Sequence, residues 1–478
     1  MLSRIISKRY LVPDRSLETL ANRVSSKLYP PGEQRDLLSG AMRRKLFFPA
    51  GNTLLAGIEP IRPNCVILPS VSERNLPNLI QRAEKLWNAR IGIGFSFNEC
   101  EKPLHILEAL SEANSNIDLH HRPQRGNMAT LSAMHNSIEE FVFSKTNRRS
   151  KDKLERKNGY LYNFNTSVVI RDQDIAEHPE HIRMVLEMIS EAAWQGGDPG
   201  VVFLDRITSQ LPYNYANAAL ELGNIETLVP CGEQAMHPNE VCTLGSINIA
   251  SEEFWRKEKL GWVWNQELYR DTIKTAVRSL DAAHEAMDLL GDKELERTAS
   301  LTRRIGLGLM GWSDAISRYC IGYSDQRELI YKIGTDLKTY SRSESIKIGK
   351  EKSVCKFTHP YEKSTIDAPR AHLTLTCAAP TGGISLLANN KGFSLDPLPE
   401  DLDRISSDQQ LHLLKSWQPY FDNTISKTIS VREDTRVDKV REIFLKALNS
   451  DVKTLTVYRS GSRALQPLQT SPIRCEGC

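Results

Sequence analysis

The chain has 478 residues, with 62 basic and 59 acidic side chains, a formal charge of +3 and a hydrophobic fraction of 40%. That length suits about three average domains or one large α/β barrel, and the balanced charge gives no electrostatic reason for a nucleic-acid or membrane-surface partner. No apolar run approaches the roughly 18 residues of a membrane span, and Met1 to Tyr10 is mildly basic without a secretory apolar core, so a cytoplasmic protein is expected.

The predicted elements alternate between helix and strand. Leu17, Leu20, Val24 and Leu28 have helical spacing behind Ser16, a suitable N-cap. Leu79, Ile80, Ala83, Leu86 and Trp87 repeat the pattern, and a charged stretch from Lys145 to Lys157 reads as a solvated loop or helix face. Val168-Val169-Ile170 predicts a strand, Ile182 to Ala193 a helix, and Val201 to Leu204 a second strand. A long periodic stretch runs from Leu268 to Met287, Leu373 to Thr376 is strand-like, and Thr454 to Tyr458 predicts a further strand. Continuous apolarity in these strands suits a parallel sheet covered by helices. The expected organisation is a helical segment over 1–45, one large α/β domain over 46–463, and a mobile tail over 464–478.

Nine cysteines, an odd number in a chain without a secretory signal, argue against a disulfide framework. Cys475 and Cys478 form a Cys-x-x-Cys pair in the tail, where no core surrounds them. Zinc would need a second pair or a nearby histidine. A redox dithiol on a tether fits better, and fifteen extended residues reach about 50 Å.

Two motifs carry further chemistry. Pro230-Cys231-Gly232-Glu233-Gln234, followed by Pro238 to Asn248, places a sulfur two residues from a carboxylate in a tight turn. Spacing alone leaves a polar turn with a chance cysteine equally open. Ala379-Pro380-Thr381-Gly382-Gly383-Ile384-Ser385 offers backbone N–H groups and hydroxyls of the kind an anion or phosphate cradle needs.

In family order, these motifs and others resemble the catalytic subunit of ribonucleotide reductase, of the class II, adenosylcobalamin-dependent kind. The resemblance runs through Phe48-Pro49-Ala50-Gly51, Asn64-Cys65-Val66, Gly126 to Phe141, Asn163 to Val168 and Gly197-Asp198-Pro199-Gly200. It continues through Pro230 to Asn248, Arg304 to Gly311, Ala379 to Ser385, Ile425 to Ile429, and Thr456 to Arg463. The fold this implies is a ten-stranded α/β barrel of two antiparallel half-barrels over 46–463, with a central finger loop carrying Cys231.

The resemblance also implies roles. Cys231 would be the thiyl radical that abstracts the ribose 3′-hydrogen, and Glu233 the base that takes the 3′-OH proton. Cys65 and Cys242 would protonate the departing 2′-OH and finish as a disulfide, which Cys475 and Cys478 would re-reduce by thiol exchange. Pro380, Thr381, Gly382, Gly383, Ile384 and Ser385 would hold the substrate phosphates, while Arg125 lies where the base-reading loop is expected. The implied partners are a ribonucleotide and a thioredoxin- or glutaredoxin-like reductant, with a homodimer left open. The implied cofactor is adenosylcobalamin, with no protein-ligated metal. No Tyr-Tyr dipeptide occurs, and a single Tyr458 stands where metal-radical reductases carry a tyrosine pair.

Cys100, Cys320, Cys355 and Cys377 default to buried or incidental thiols, and His237 to a surface or packing residue. Where the family places an Asn two residues before the thiyl cysteine, this chain has Val229. That departure motivates a second reading, a radical enzyme with an altered nucleotide substrate or outcome. A non-catalytic nucleotide binder is the third.

Overall fold

The computed structural model describes residues 14, 16–117, 126–146, 161–259, 261–358, 368–398, 401 and 404–462. Ser16 caps the helix Leu17–Leu28 by accepting the Thr19 N–H, and the reciprocal Thr19 bond completes a capping box. Its buried stripe is Leu20, Ala21 and Val24, and it packs on a second helix, Glu33–Arg43.

Fourteen strands follow: β1 (Phe47–Pro49), β2 (Cys65–Ile67), β3 (Gly92–Ser96), β4 (Asn127–Ser132), β5 (Phe164–Ile170), β6 (Gly200–Phe203), β7 (Thr227–Leu228), β8 (Ala235–Met236), β9 (Val241–Asn248), β10 (Trp255–Glu258), β11 (Gly261–Trp264), β12 (Ile305–Met310), β13 (Thr428–Val431) and β14 (Thr454–Arg459). Ten of them form one sheet in the order β1-β9-β2-β3-β4-β5-β6-β14-β13, with β12 also on β9.

The sheet is mixed where apolar patterning alone suits a parallel one, and the resemblance implies antiparallel halves. Strands β2 to β6 run parallel, each joined to the next through a helical crossover as parallel pairing requires. Two antiparallel seams, β2 against β9 and β6 against β14, join this run to the parallel pairs β9–β12 and β13–β14. Instead of forming a regular strand, residues 374–378 make one single bridge to β12, Thr376 with Leu307, and another on to Ile425 from Ala378. The expected ten-stranded α/β architecture is present.

Helices cover the sheet as the periodicities predict: Leu76–Asn88, Pro179–Gly196 and Gln266–Glu285 all bury their apolar faces. Their side chains join those of the strands in one continuous apolar core. Leu204 leaves β6 and opens a short helix, Leu204–Thr208. Among the described residues no helix is long and apolar enough to cross a membrane.

Candidate active site

Strands β7 and β8 pair only through Thr227 with Met236 and Leu228 with Ala235, forming a hairpin that lies against β3 and β4. Two glycines make room for it. A Cβ at Gly94 would collide with the Leu228 carbonyl oxygen, and one at Gly306 would lie 2.6 Å from both Gln234 Nε2 and Cys377 Sγ. The turn closes through Val229 N–H to the Gln234 carbonyl at 2.9 Å and Gly232 N–H to the Val229 carbonyl at 2.8 Å. Gly232 has φ +79°, a left-handed conformation that a side chain would strain.

At the tip of this finger Cys231 is half-buried and Glu233 fully buried. The side chain of Asn165, on β5, donates to the Pro230 carbonyl at 2.7 Å and ties the tip to the sheet.

Cys65 on β2 stands directly opposite Cys242 on β9. Opposed residues of an antiparallel pair have Cα atoms roughly 4.5–5.5 Å apart, inside the roughly 4.4–6.8 Å that a disulfide spans. Both cysteines share a small apolar cluster with Val229, Met236, Leu244 and Cys377, and Cys231 packs against it. Residues widely separated in sequence thus bring four cysteines together.

Cys377 is the one that sequence reasoning set aside. Its sulfur accepts from Gln234 Nε2 at 3.4 Å. Burial, followed by the charge of Glu233, pushes its thiol well above the ordinary value. It stands at the root of the 379–385 loop, so the fingertip and that loop meet at this sulfur.

In that loop Thr381 adopts φ +57° and precedes the short helix Gly382–Leu387. The Thr381 hydroxyl accepts from Ser394 N–H at 2.7 Å and pairs with Ser385 Oγ at 2.9 Å. These two hydroxyls therefore brace the loop internally. Pro380 and Gly382 line a cavity of about 230 Å³ that also reaches Cys231, Asn165, Lys427 and Tyr458. Lys427 carries a buried side chain paired with Asp396 at 2.7 Å, and it places a cation in the same cavity as the loop. Cys65, Cys242 and Glu233 are not among the residues that line it. Arg125, Cys475 and Cys478 lie outside the described residues.

Behind the finger, Arg304 and Glu240 form a fully buried two-pronged ion pair at 2.9 and 2.8 Å. Burial alone would raise the Glu240 carboxyl, but Arg304 and His237 outweigh it and hold the group below its usual range. His237 is a packing residue, stacked on Tyr215 and bonded to the Tyr213 hydroxyl at 3.0 Å. Burial lowers its pKa, while Glu240 and the Gly223 carbonyl pull it back up. Among the described residues no cluster of three or more His, Cys, Asp or Glu side chains is placed to hold a metal ion.

Residues 171–375 match the family profile described as the ribonucleotide reductase barrel domain. The chain is 25% identical to a vitamin B12-dependent ribonucleoside-diphosphate reductase of Thermoplasma acidophilum, over 84% of this chain and 62% of that protein. It is also 25% identical to a protein of the same name from Mycobacterium tuberculosis, over 96% of this chain and 77% of the relative. The chain therefore spans less than two thirds of the length of the first of these relatives. The class Id ribonucleotide reductase alpha subunit of Actinobacillus ureae shares the fold, with a TM-score of 0.76 and 96% coverage of both chains at 14% identity.

Proposed function

We propose that this chain, which carries a ribonucleotide reductase barrel domain, reduces ribonucleotides to 2′-deoxyribonucleotides by thiyl-radical chemistry with adenosylcobalamin as cofactor. The observation that carries the reading is the register of Cys65 opposite Cys242, in one cluster with the fingertip that holds Cys231. This arrangement supports the reading, because the chemistry needs a two-electron reductant beside a one-electron oxidant. Hydroxide is a poor leaving group, and a radical at C3′ of the sugar eases its departure.

In this reading Cys231, as a thiyl, takes the 3′-hydrogen, and Glu233 takes the 3′-OH proton. A thiol of the Cys65–Cys242 pair protonates the 2′-OH, which leaves as water. The second thiol gives its hydrogen to C2′ and the pair closes to a disulfide, supplying two electrons in all; Glu233 then returns its proton to the 3′-oxygen and Cys231 its hydrogen to C3′. The N–H groups that open the Gly382–Leu387 helix and the Lys427 cation favour binding of the substrate phosphates beside them. The tail dithiol Cys475–Cys478 would reopen the disulfide and be re-reduced by a thioredoxin- or glutaredoxin-like protein.

The site suits the cofactor chemically. The lining of the cavity that reaches Cys231 combines apolar side chains, including Met128, Val202 and Leu228, with polar ones, including Asn165, Thr456 and Tyr458. A nucleoside group needs both kinds of surface, and these residues would hold the adenosyl end. What adenosylcobalamin supplies when bound is a one-electron oxidant, from homolysis of its cobalt–carbon bond.

The test is anaerobic incubation with adenosylcobalamin, a small dithiol and each of the four common ribonucleotides as diphosphate and triphosphate, followed by chromatography of the products. Deoxynucleotide that depends on the cofactor is expected. Its absence in every mixture, with the protein folded, would remove the reading.

A further inference from the structure

The finger is a hairpin of two strands of two residues each, too small to hold its shape alone. Two consecutive residues far along the chain grip its tip. Asn423 commits its whole amide to the hairpin. Its Oδ1 accepts from the Ala235 N–H at 2.8 Å, and its Nδ2 donates to Gln234 Oε1 at 2.9 Å and to the Ala235 carbonyl at 3.0 Å. Thr424 donates its N–H to the Glu233 carbonyl at 3.3 Å and its hydroxyl to the Gly232 carbonyl at 2.5 Å. Four consecutive residues, 232 to 235, are thus bonded from one side, and both gripping residues are fully buried.

The grip is itself anchored. Asn423 N–H donates to the Thr376 carbonyl at 3.1 Å, and the Ala378 N–H donates to the Thr424 carbonyl at 3.1 Å. The buried ammonium of Lys453, on the residue before β14, donates to the Asn423 carbonyl at 3.0 Å. These bonds connect the fingertip to the segment that carries Cys377 and leads into the 379–385 loop. Neither Asn423 nor Thr424 lines the cavity.

We propose that Asn423 and Thr424 are positioning residues for the reaction: they fix the backbone on either side of Glu233, and through it the placement of the Glu233 carboxylate and the Cys231 thiol. The inference rests on the reading above for what the fingertip does. Its physical basis is that hydrogen abstraction needs the sulfur at near-contact distance from one sugar hydrogen. A displacement of about 1 Å costs on the order of 100-fold in rate.

The test compares Asn423→Ala and Thr424→Val with the full-length parent, and includes Thr424→Ser as the conservative control. Two readouts separate positioning from mere support. The first is the rate of iodoacetamide labelling at Cys231, followed by peptide mass, without cofactor or nucleotide. The second is kcat against KM for ribonucleotide reduction.

Labelling at Cys231 is expected to change at least ~3-fold in both variants. The value of kcat is expected to fall ~10–100-fold with KM within ~3-fold, and Thr424→Ser should keep parent values. If Asn423→Ala does not fold, Thr424→Val decides by the same readouts. Folded variants with parent labelling and parent kcat would overturn the proposal, as would a lowered melting temperature with neither readout moved. If the parent itself makes no deoxynucleotide, the functional reading fails, while the labelling rates still decide whether the grip sets the position of Cys231.

Discussion

Cys65 and Cys242 face each other across an antiparallel strand pair, one at the start of β2 and the other near the start of β9. Neither strand carries the fingertip, so the pair is built into the sheet and the fingertip is brought to it. Replacing either cysteine by serine keeps the side-chain volume and removes the electrons. Cys65→Ser and Cys242→Ser are expected to bind nucleotide like the parent and to lose more than ~99% of deoxynucleotide formation, measured by product chromatography. Parent-rate turnover in either variant would show that the reducing pair lies elsewhere.

Cys231 is half-buried and adds little to binding by area, so its loss should separate binding from chemistry. Cys231→Ala is expected to lower kcat by more than ~1,000-fold, the scale of losing an obligatory reacting group. The nucleotide dissociation constant, from equilibrium dialysis, should stay within ~3-fold. Measurable product from the pure variant would take Cys231 out of the mechanism.

Val229 is completely buried among Cys65, Met236, Cys242, Leu244 and Cys377. An amide placed there meets sulfur and hydrocarbon, and an unsatisfied buried polar group costs about 1–3 kcal/mol. Val229→Asn is therefore expected to destabilise the nucleotide-free protein by that amount in urea unfolding. If the position faces the sugar, saturating ribonucleotide should raise the melting temperature of the variant more than that of the parent. Equal ligand shifts would mean that residue 229 does not reach the substrate.

Burial lowers the Lys453 ammonium to about 8, with Asp422 pulling it back up and Lys338 pushing it further down. A lysine in an unfolded chain titrates near ~10.4. Below pH ~8 both states are protonated, and the fold bears the full cost of the buried charge. Between pH ~8 and ~10.4 the unfolded state holds more protons, so this residue's contribution to stability rises with pH. Relative to Lys453→Met, the parent should gain up to about 3 kcal/mol between pH 7.5 and 10.5 in denaturant melts. Parallel stability curves would show that the ammonium is not desolvated in the fold.

The long helices were legible because their apolar residues recur at the helical period: Leu79 to Trp87, Ile182 to Ala193 and Leu268 to Met287 each match an observed helix. β5, β6 and β14 were legible as short apolar runs, although Leu204 turns into a helix after β6. Strand direction was not legible in the apolar pattern and entered only as the antiparallel half-barrels that the resemblance implies. Continuous apolarity reports burial on both faces, which the antiparallel seams at β9 and β14 share with the parallel run. The finger read as a turn, since two-residue strands show no periodicity.

Cys231 and Glu233 stood out by their spacing, with a chance turn equally open, while Cys65 and Cys242 were legible only through the resemblance; the structure brings the three cysteines into one cluster with Cys377. Asn423 was silent in the sequence, because its partners Gln234 and Ala235 are 189 and 188 residues away.

The central claim is that a radical at Cys231 draws its two electrons from Cys65 and Cys242. The most direct measurement is a single turnover of the Cys475→Ser/Cys478→Ser protein, prereduced and freed of external thiols, with adenosylcobalamin and a ribonucleotide that the parent reduces. Deoxynucleotide and the Cys65–Cys242 disulfide are quantified together, the second by peptide mass after alkylation. The account predicts that both accumulate in equal amounts, approach about one per active site and then stop. Continued turnover in this protein, or deoxynucleotide formed with Cys65 and Cys242 still reduced, would contradict it.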